Sequence, residues 1–100
     1  MALEHVENLS KALFGSSDRL SILRAIATSP DEELYPAQIA QRADVRPNQV
    51  GTDIRRLEEV GLVRPRRVEG SNRQYVTRVP SVLWKMSEEL YAEALKRKSK

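Results

Sequence analysis

Five polar side chains between residues 48 and 56 have the chemistry needed to read the edges of base pairs. They are Asn48, Gln49, Thr52, Arg55 and Arg56. Asparagine and glutamine can form paired hydrogen bonds with adenine, and arginine can form them with guanine. The same residue types also suit the polar outer face of an ordinary amphipathic helix, so this stretch alone leaves both interpretations open.

A second group of residues concentrates positive charge between residues 61 and 79. This stretch holds five arginines against Glu69 alone, whereas residues 1–60 carry seven basic and ten acidic side chains. A polyanion is a natural partner for such a patch, although charged side chains also protect an exposed strand edge from pairing with other chains. The residues expected to contact nucleic-acid backbone or minor groove are Arg66, Arg67, Asn72 and Arg73.

Helical periodicity supplies the element that must position the first group. Val50, Ile54 and Leu57 recur on one side of a helix predicted over 47–60, with a proline at its start and a glycine at its end. Residues 36–43 repeat this pattern, and the three residues between the two segments leave room only for a tight turn. A helix-turn-helix follows from this spacing.

Two paired strands are predicted to carry the arginines, over 62–68 and 73–79, around a turn rich in glycine, serine and asparagine. Pro65 has no N–H to donate, so the first strand should have an open edge. Residues 33–35 fit either a short strand or an extended approach to the third helix. The hairpin would therefore form a basic wing beside the second helix of the motif.

The whole chain reads as one domain, mainly α with a small β-hairpin wing: a winged helix-turn-helix with five helices, the two strands lying between the fourth and fifth. Apolar spacing predicts a first helix ending at Phe14, a second helix after residue 18 and a last helix over 82–96. The domain is expected to span 1–96, with its terminal helices used for dimerisation, and 97–100 to form a basic tail.

Apolar and aromatic residues in the two terminal helices suggest a contact with a second copy of the chain. In the last helix two aromatic residues lie seven positions apart and so on nearly one face. The alternative is that they pack onto their own helix bundle. The residues expected at the dimer interface are Leu3, Val6, Leu9, Leu13, Trp84 and Tyr91.

Few residues have the chemistry of a catalytic or metal site. His5 is the single histidine and cysteine is absent, so neither a thiolate zinc site nor a cysteine nucleophile is available. Neighbouring carboxylates such as Glu58 and Glu59 splay around a helix and suit solvated charge. We therefore expect no enzyme activity, no metal and no cofactor.

Nothing in the sequence suggests a membrane partner. No apolar run approaches the roughly 18 residues of a membrane span, and the first residues lack the features of a secretion signal. Because cysteine is missing, a reducing setting fits best, and the expected location is the cytoplasm.

Three segments together carry a family likeness: LFGSSDRLSILRAI over 13–26, PAQIAQRA over 36–43 and QVGTDIRRLEEVGLV over 49–63. They resemble the opening, the first motif helix and the recognition helix of ArsR-like winged helix-turn-helix repressors. The likeness spans roughly residues 10 to 80, and the terminal helices fit the way such proteins dimerise. It implies a dimeric DNA-binding regulator.

The chain departs from that family at two positions of the recognition helix. Where the family usually carries serine and then arginine or histidine, this chain has Gly51, Thr52 and Asp53. Glycine costs a helix about 1 kcal/mol relative to alanine, so Gly51 is expected to permit close approach by a backbone, a phosphate or a packed helix. Asp53 lies on the shoulder of the helix nearer the core, where it could accept a hydrogen bond from a neighbouring arginine or help order the first turns. If it faces the ligand, it is expected to repel phosphate.

These observations lead to one hypothesis and one rival. The hypothesis is a homodimeric, sequence-specific regulator of transcription that binds double-stranded DNA, most simply a repressor, whose effector the sequence does not identify. The rival is a winged-helix protein–protein interaction module within a larger assembly. Gly51 and Asp53 favour the rival, and the arginine-rich hairpin opposes it.

Overall fold

Five helices and three short strands make up the computed structural model, which describes residues 2–67, 69–70 and 74–96, with side chains from residue 4 onward. Their order confirms the predicted winged helix-turn-helix. The expectations for Leu3, Asn72, Arg73 and the basic tail lie outside the described side chains. The elements are α1 (Ala2–Phe14), α2 (Arg19–Ala27), β1 (Glu33–Leu34), α3 (Pro36–Ala43), α4 (Pro47–Glu59), β2 (Val63–Arg67), β3 (Gln74–Arg78) and α5 (Val82–Lys96).

The three strands form one antiparallel sheet in the order β1-β3-β2. Residues 33 and 34 are therefore a strand, paired with Thr77 and Val76 of β3. On the other side of β3, Pro65 lies opposite Val76. The Val79 N–H donates to the Leu62 carbonyl, so in this register the hydrogen-bonded positions of β2 are the even-numbered ones. The missing N–H of Pro65 therefore faces the open edge and interrupts no ladder within this sheet, as predicted.

The turn between α3 and α4 contains an aspartate in a left-handed conformation and is closed by backbone hydrogen bonds from Asp44 and Val45. Asp44 has φ 56°, a value that aspartate and asparagine adopt more readily than most residues. The backbone N–H of Val45 donates to the carbonyl of Ala40 at 3.1 Å. This compact turn sets α4 across α3 and orients its polar face away from the core.

The core lies where α2, α3 and α4 meet the sheet and the start of α5. Ile22, Leu23 and Ile26 of α2 form its centre, and Ile39 of α3 packs against them. The predicted inward stripe of α4 is confirmed, since its three apolar members are all buried. A smaller cluster around Val6 joins α1 to α2 and α5.

Two of the residues expected at a dimer interface are instead buried in their own chain. Trp84 is 6% exposed, belongs to the main core and donates its indole N–H to the carbonyl of Val79 at 2.7 Å. Val6 is 0% exposed and packs with Leu20. The expectation is corrected for both: helical spacing identifies an apolar stripe, but it does not tell which neighbour covers that stripe.

The other interface candidates keep some surface. Leu9 and Tyr91 are half-buried, and the guanidinium of Arg24 lies 4.7 Å from the centre of the Tyr91 ring. Leu13 is 53% exposed. Within the described part of the chain, no helix has both the length and the apolar character needed to cross a membrane.

Candidate nucleic-acid interface

The solvent face of α4 displays four of the five side chains expected to read bases. Asn48, Thr52, Arg55 and Arg56 are exposed. The two arginines form no hydrogen bond or ion pair with any other described residue. Their guanidinium groups, each with five donors in a rigid fork, are therefore available to an external acceptor.

The first turns of α4 are ordered by local hydrogen bonds. The Oδ1 atom of Asn48 accepts the backbone N–H of Gln49 at 3.0 Å, and the hydroxyl of Thr52 donates to the Asn48 carbonyl at 3.2 Å. Proline at the first helical position requires no N–H partner there. The helix thus presents this end of its polar face in a defined conformation.

Gln49, the fifth candidate, lies differently from the other four. Its side chain is half-buried, and its Nε2 donates to Oδ1 of Asp53 at 3.2 Å, one helical turn further on. The glutamine is therefore oriented by its own helix.

Asp53 is fully buried and paired with an arginine from another helix. Nη2 of Arg19, at the start of α2, donates to the same Oδ1 atom at 3.0 Å, and the aspartate side chain has 0% exposure. Among the described residues, neither Asp53 Oδ2 nor Arg19 Nε has a partner. The expectation that Asp53 repels phosphate is corrected, because its charge is inside the protein and neutralised by Arg19.

Gly51 lies on the exposed side of α4 in open space. A Cβ atom added there would meet no heavy atom within 4 Å, and the residue has ordinary helical backbone angles. No packed helix of the described chain therefore requires the glycine. The remaining reasons proposed for it, approach by an external backbone or phosphate, stay predictions.

The wing arginines fall into two classes. Arg66 donates to both carboxylate oxygens of Glu33 on β1, at 2.6 and 2.5 Å, and this hydrogen bond, with the charge of Glu33, raises the pKa of Arg66 above its ordinary value. Arginine is protonated in either case. Arg64 and Arg67 are exposed and have no partner in the described ranges.

Arg78, at the end of β3, points inward. Its Nη1 atom donates to the carbonyls of Ile26 at 2.8 Å, Ala27 at 3.1 Å and Ser29 at 3.4 Å. These are carbonyls at and just beyond the carboxyl end of α2, where a positive charge is favourable. The residue therefore ties the sheet to α2 and does not serve the basic surface.

Helix α4 and the wing border a common open cleft of about 230 Å³. Its lining includes Gly51 and Arg55 of α4, Pro36 of α3 and Gln74 of β3. Sequence reasoning did not select Gln74 or Arg19, because nothing in their local pattern shows that the fold brings each of them to α4. The helix face and the wing thus belong to one continuous surface.

A model of the helix-turn-helix domain matches residues 14–66, more than half of the chain. The chain belongs to the helix-turn-helix domain family. The matched residues run from the end of α1 through α4 to β2, so the family match includes the whole candidate recognition helix. No curated protein sequence matches this helix-turn-helix chain significantly.

Solved structures share the complete winged fold. Similar ones include MepR, a transcription regulator of the Staphylococcus aureus multidrug efflux pump MepA (TM-score 0.62, 13% identity, 95% of this chain and 68% of that one). BldR, a transcriptional regulator from Sulfolobus solfataricus, is also similar (TM-score 0.58, 23% identity, 94% of this chain and 63% of that one). So is overoxidized AbfR bound to DNA (TM-score 0.60, 17% identity, 93% of this chain and 66% of that one). At these identities the likeness establishes the fold, and this chain spans about two thirds of their length.

Proposed function

We propose that this helix-turn-helix chain is a sequence-specific transcriptional regulator that binds double-stranded DNA as a dimeric repressor. The observation that carries the proposal is the unpaired Arg55 and Arg56 on the solvent face of a helix whose opposite face is core. A helix held in this way can enter a major groove, where the guanidinium of arginine can donate two hydrogen bonds to guanine. Asn48 and Thr52 lie on the same face.

The wing supports DNA binding through charge. Arg64 and Arg67 are exposed cations on β2, and phosphate contacts from such side chains give affinity without reading sequence. Arg66 contributes less, because Glu33 offsets its charge and already takes its Nη1 donor. The proposed division of labour is base recognition by α4 and backbone contact by the wing.

Dimerisation is supported by apolar side chains that remain on the surface of the terminal helices. The exposed ones are Leu13, Val82, Met86 and Leu95, beside the half-buried Leu9 and Tyr91. A second copy of the chain packed on these helices would remove them from water. Two copies would then contact half-sites about one helical turn apart. Repression is the role implied by the resemblance to ArsR-like repressors.

The test is selection of bound duplexes from a random pool, followed by sedimentation of the free protein. We expect a two-fold symmetric motif and a particle of twice the 11.4 kDa chain mass. A monomer would contradict the dimer, and binding without any preferred motif would contradict base reading. For repression, a promoter carrying the selected motif should lose output when the chain is expressed.

The rival function, a protein-interaction module, keeps one of its two supports. Asp53 no longer favours it, since the carboxylate is buried and paired. Gly51 remains compatible with either function. The selection experiment separates them, because an interaction module would enrich no duplex.

A further inference from the structure

We infer that Asp53 fixes the amide of Gln49 so that α4 presents a hydrogen-bond acceptor to a base with an exocyclic amino group, adenine or cytosine. The inference rests on the proposed function, which places α4 in the major groove. It gives Asp53 a positioning role in specificity.

The side-chain amide of Gln49 has one favourable orientation beside Asp53. The carboxylate of an ionised aspartate only accepts hydrogen bonds, so the amide nitrogen of Gln49 must face it and does so, with Nε2 3.2 Å from Oδ1. The amide oxygen, on the other arm of the same carbon, then points away from Asp53. Rotation of the Gln49 amide by 180° would place its oxygen against the carboxylate oxygen of Asp53. That orientation is excluded, because both atoms are acceptors.

The second step is the rigidity of Asp53 itself. Its side chain is fully buried, and Oδ1 also accepts the Arg19 guanidinium at 3.0 Å. The guanidinium in turn donates to the Phe14 carbonyl at 3.5 Å. Because residues of α1, α2 and α4 all contribute to this cluster, Asp53 cannot move along with the Gln49 side chain if that side chain changes rotamer. The entropy cost of ordering Gln49 is therefore paid during folding and not on ligand binding.

The third step is the chemistry of the base edges. In the major groove adenine and cytosine each offer an amino donor, whereas guanine offers two acceptors and no donor there. An amide oxygen turned away from Asp53 can accept from the amino group, and this holds whichever hydrogen of Nε2 is used by Asp53. A freely rotating glutamine can turn its nitrogen outward instead and accommodate guanine. Asp53 therefore makes one position of each half-site discriminate against guanine.

The link between the two side chains can be tested in the free protein. We expect the side-chain amide hydrogens of Gln49 to exchange with water at least about fivefold more slowly than those of Gln41, an exposed glutamine on α3 without a described side-chain partner. Nuclear magnetic resonance of the isotopically labelled full chain measures both. Equal exchange rates would overturn the inference without touching the proposed function.

The consequence for DNA is tested by comparing selected motifs. Gln49→Ala identifies the base pair that the glutamine contacts, since that position alone should lose its preference. The double variant Arg19→Met with Asp53→Leu removes the cluster without changing net charge, and apolar replacement of a buried ion pair is generally tolerated. At the Gln49 position we expect discrimination against guanine to fall from about tenfold in the wild type to about twofold or less.

A conservative variant separates positioning from charge. Asp53→Asn retains the Oδ1 acceptor, so it should keep the wild-type preference that the double variant loses. A double variant that folds and keeps the preference would overturn the inference, as would a Gln49→Ala motif identical to the wild type. If the wild type selects no motif, the proposed function fails and the inference falls with it. If the double variant does not fold, the exchange measurement decides.

Discussion

The arginines of α4 and those of the wing differ in how many of them already have hydrogen-bond or ion-pair partners within the protein. Arg55 and Arg56 project from a helix without a described partner, whereas on the wing Arg66 is paired with Glu33 and Arg78 is turned into the fold. Counting charges along the sequence makes the hairpin the strongest argument for DNA binding. When only the arginines without a described partner are counted, α4 contributes as much to the case for DNA binding as the hairpin does.

The number of cations on a surface element therefore overstates what that element can offer to a polyanion. A guanidinium that already donates to a carboxylate has part of its charge offset and offers only its remaining donors to a phosphate. A guanidinium that stabilises helix carbonyls is not available at all. Only the unpaired groups contribute their full donor capacity.

The largest effect should follow from reversing the charge of the helix pair. We expect Arg55→Glu with Arg56→Glu to lower affinity for the selected duplex by at least about 100-fold, because a lost guanidinium contact and added repulsion act together. Fluorescence anisotropy at fixed salt measures it. The matched control reverses Lys85 and Lys96 on α5, with sedimentation showing that this variant keeps the wild-type oligomeric state, and an equal loss there would reduce the effect to net charge.

Removing Arg78 should destabilise the fold and leave the interface intact. Arg78→Met removes a charged donor from three carbonyls and should lower the free energy of unfolding by about 2 kcal/mol. Urea denaturation gives this value. Arg64→Met, at an exposed position, should change stability by less than about 0.5 kcal/mol. Equal stability of the two variants would show that the inward contacts of Arg78 contribute nothing.

Neutralising the free wing arginines should have a moderate effect on binding. We expect Arg64→Gln with Arg67→Gln to weaken binding about tenfold on all duplexes alike and to reduce the salt slope by up to about 2. Arg66→Gln alone should cost less than either single change, since Glu33 already offsets the charge of Arg66 and takes its Nη1 donor. A larger loss at Arg66 would reverse the ranking of paired and unpaired arginines.

The smallest effect concerns the helix glycine. Gly51→Ala should raise the free energy of unfolding by about 1 kcal/mol, because the added methyl meets open space and alanine favours the helix. Gly61→Ala is the contrasting control, since φ 78° strains any other residue there and the variant should be less stable. Thermal unfolding of both variants reports the two opposite signs. A destabilised Gly51→Ala would show that the site is not open.

Much of the fold was predictable because its signals are local. Proline at both motif-helix starts, glycine after α1 and α4, and apolar residues at helical spacing placed every helix to within a few residues, and α5 at its observed bounds of Val82–Lys96. Residues 33–34 remained undecided, since two residues hold no periodicity and become a strand only by pairing with β3. The ArsR-like resemblance stays a prediction beyond the shared winged fold.

The sequence by itself determined which segments are helices and strands, and which helix faces are apolar or polar, because backbone propensity and side-chain spacing act over a few residues. Only the tertiary structure decided which charges are free. Asp53 and Arg19 lie 34 positions apart, Glu33 and Arg66 lie 33 apart, and Arg78 reaches the end of α2 across 52. The choice of such partners depends on how the elements pack, and burial then determines whether a pairing neutralises a charge or leaves it to an external ligand.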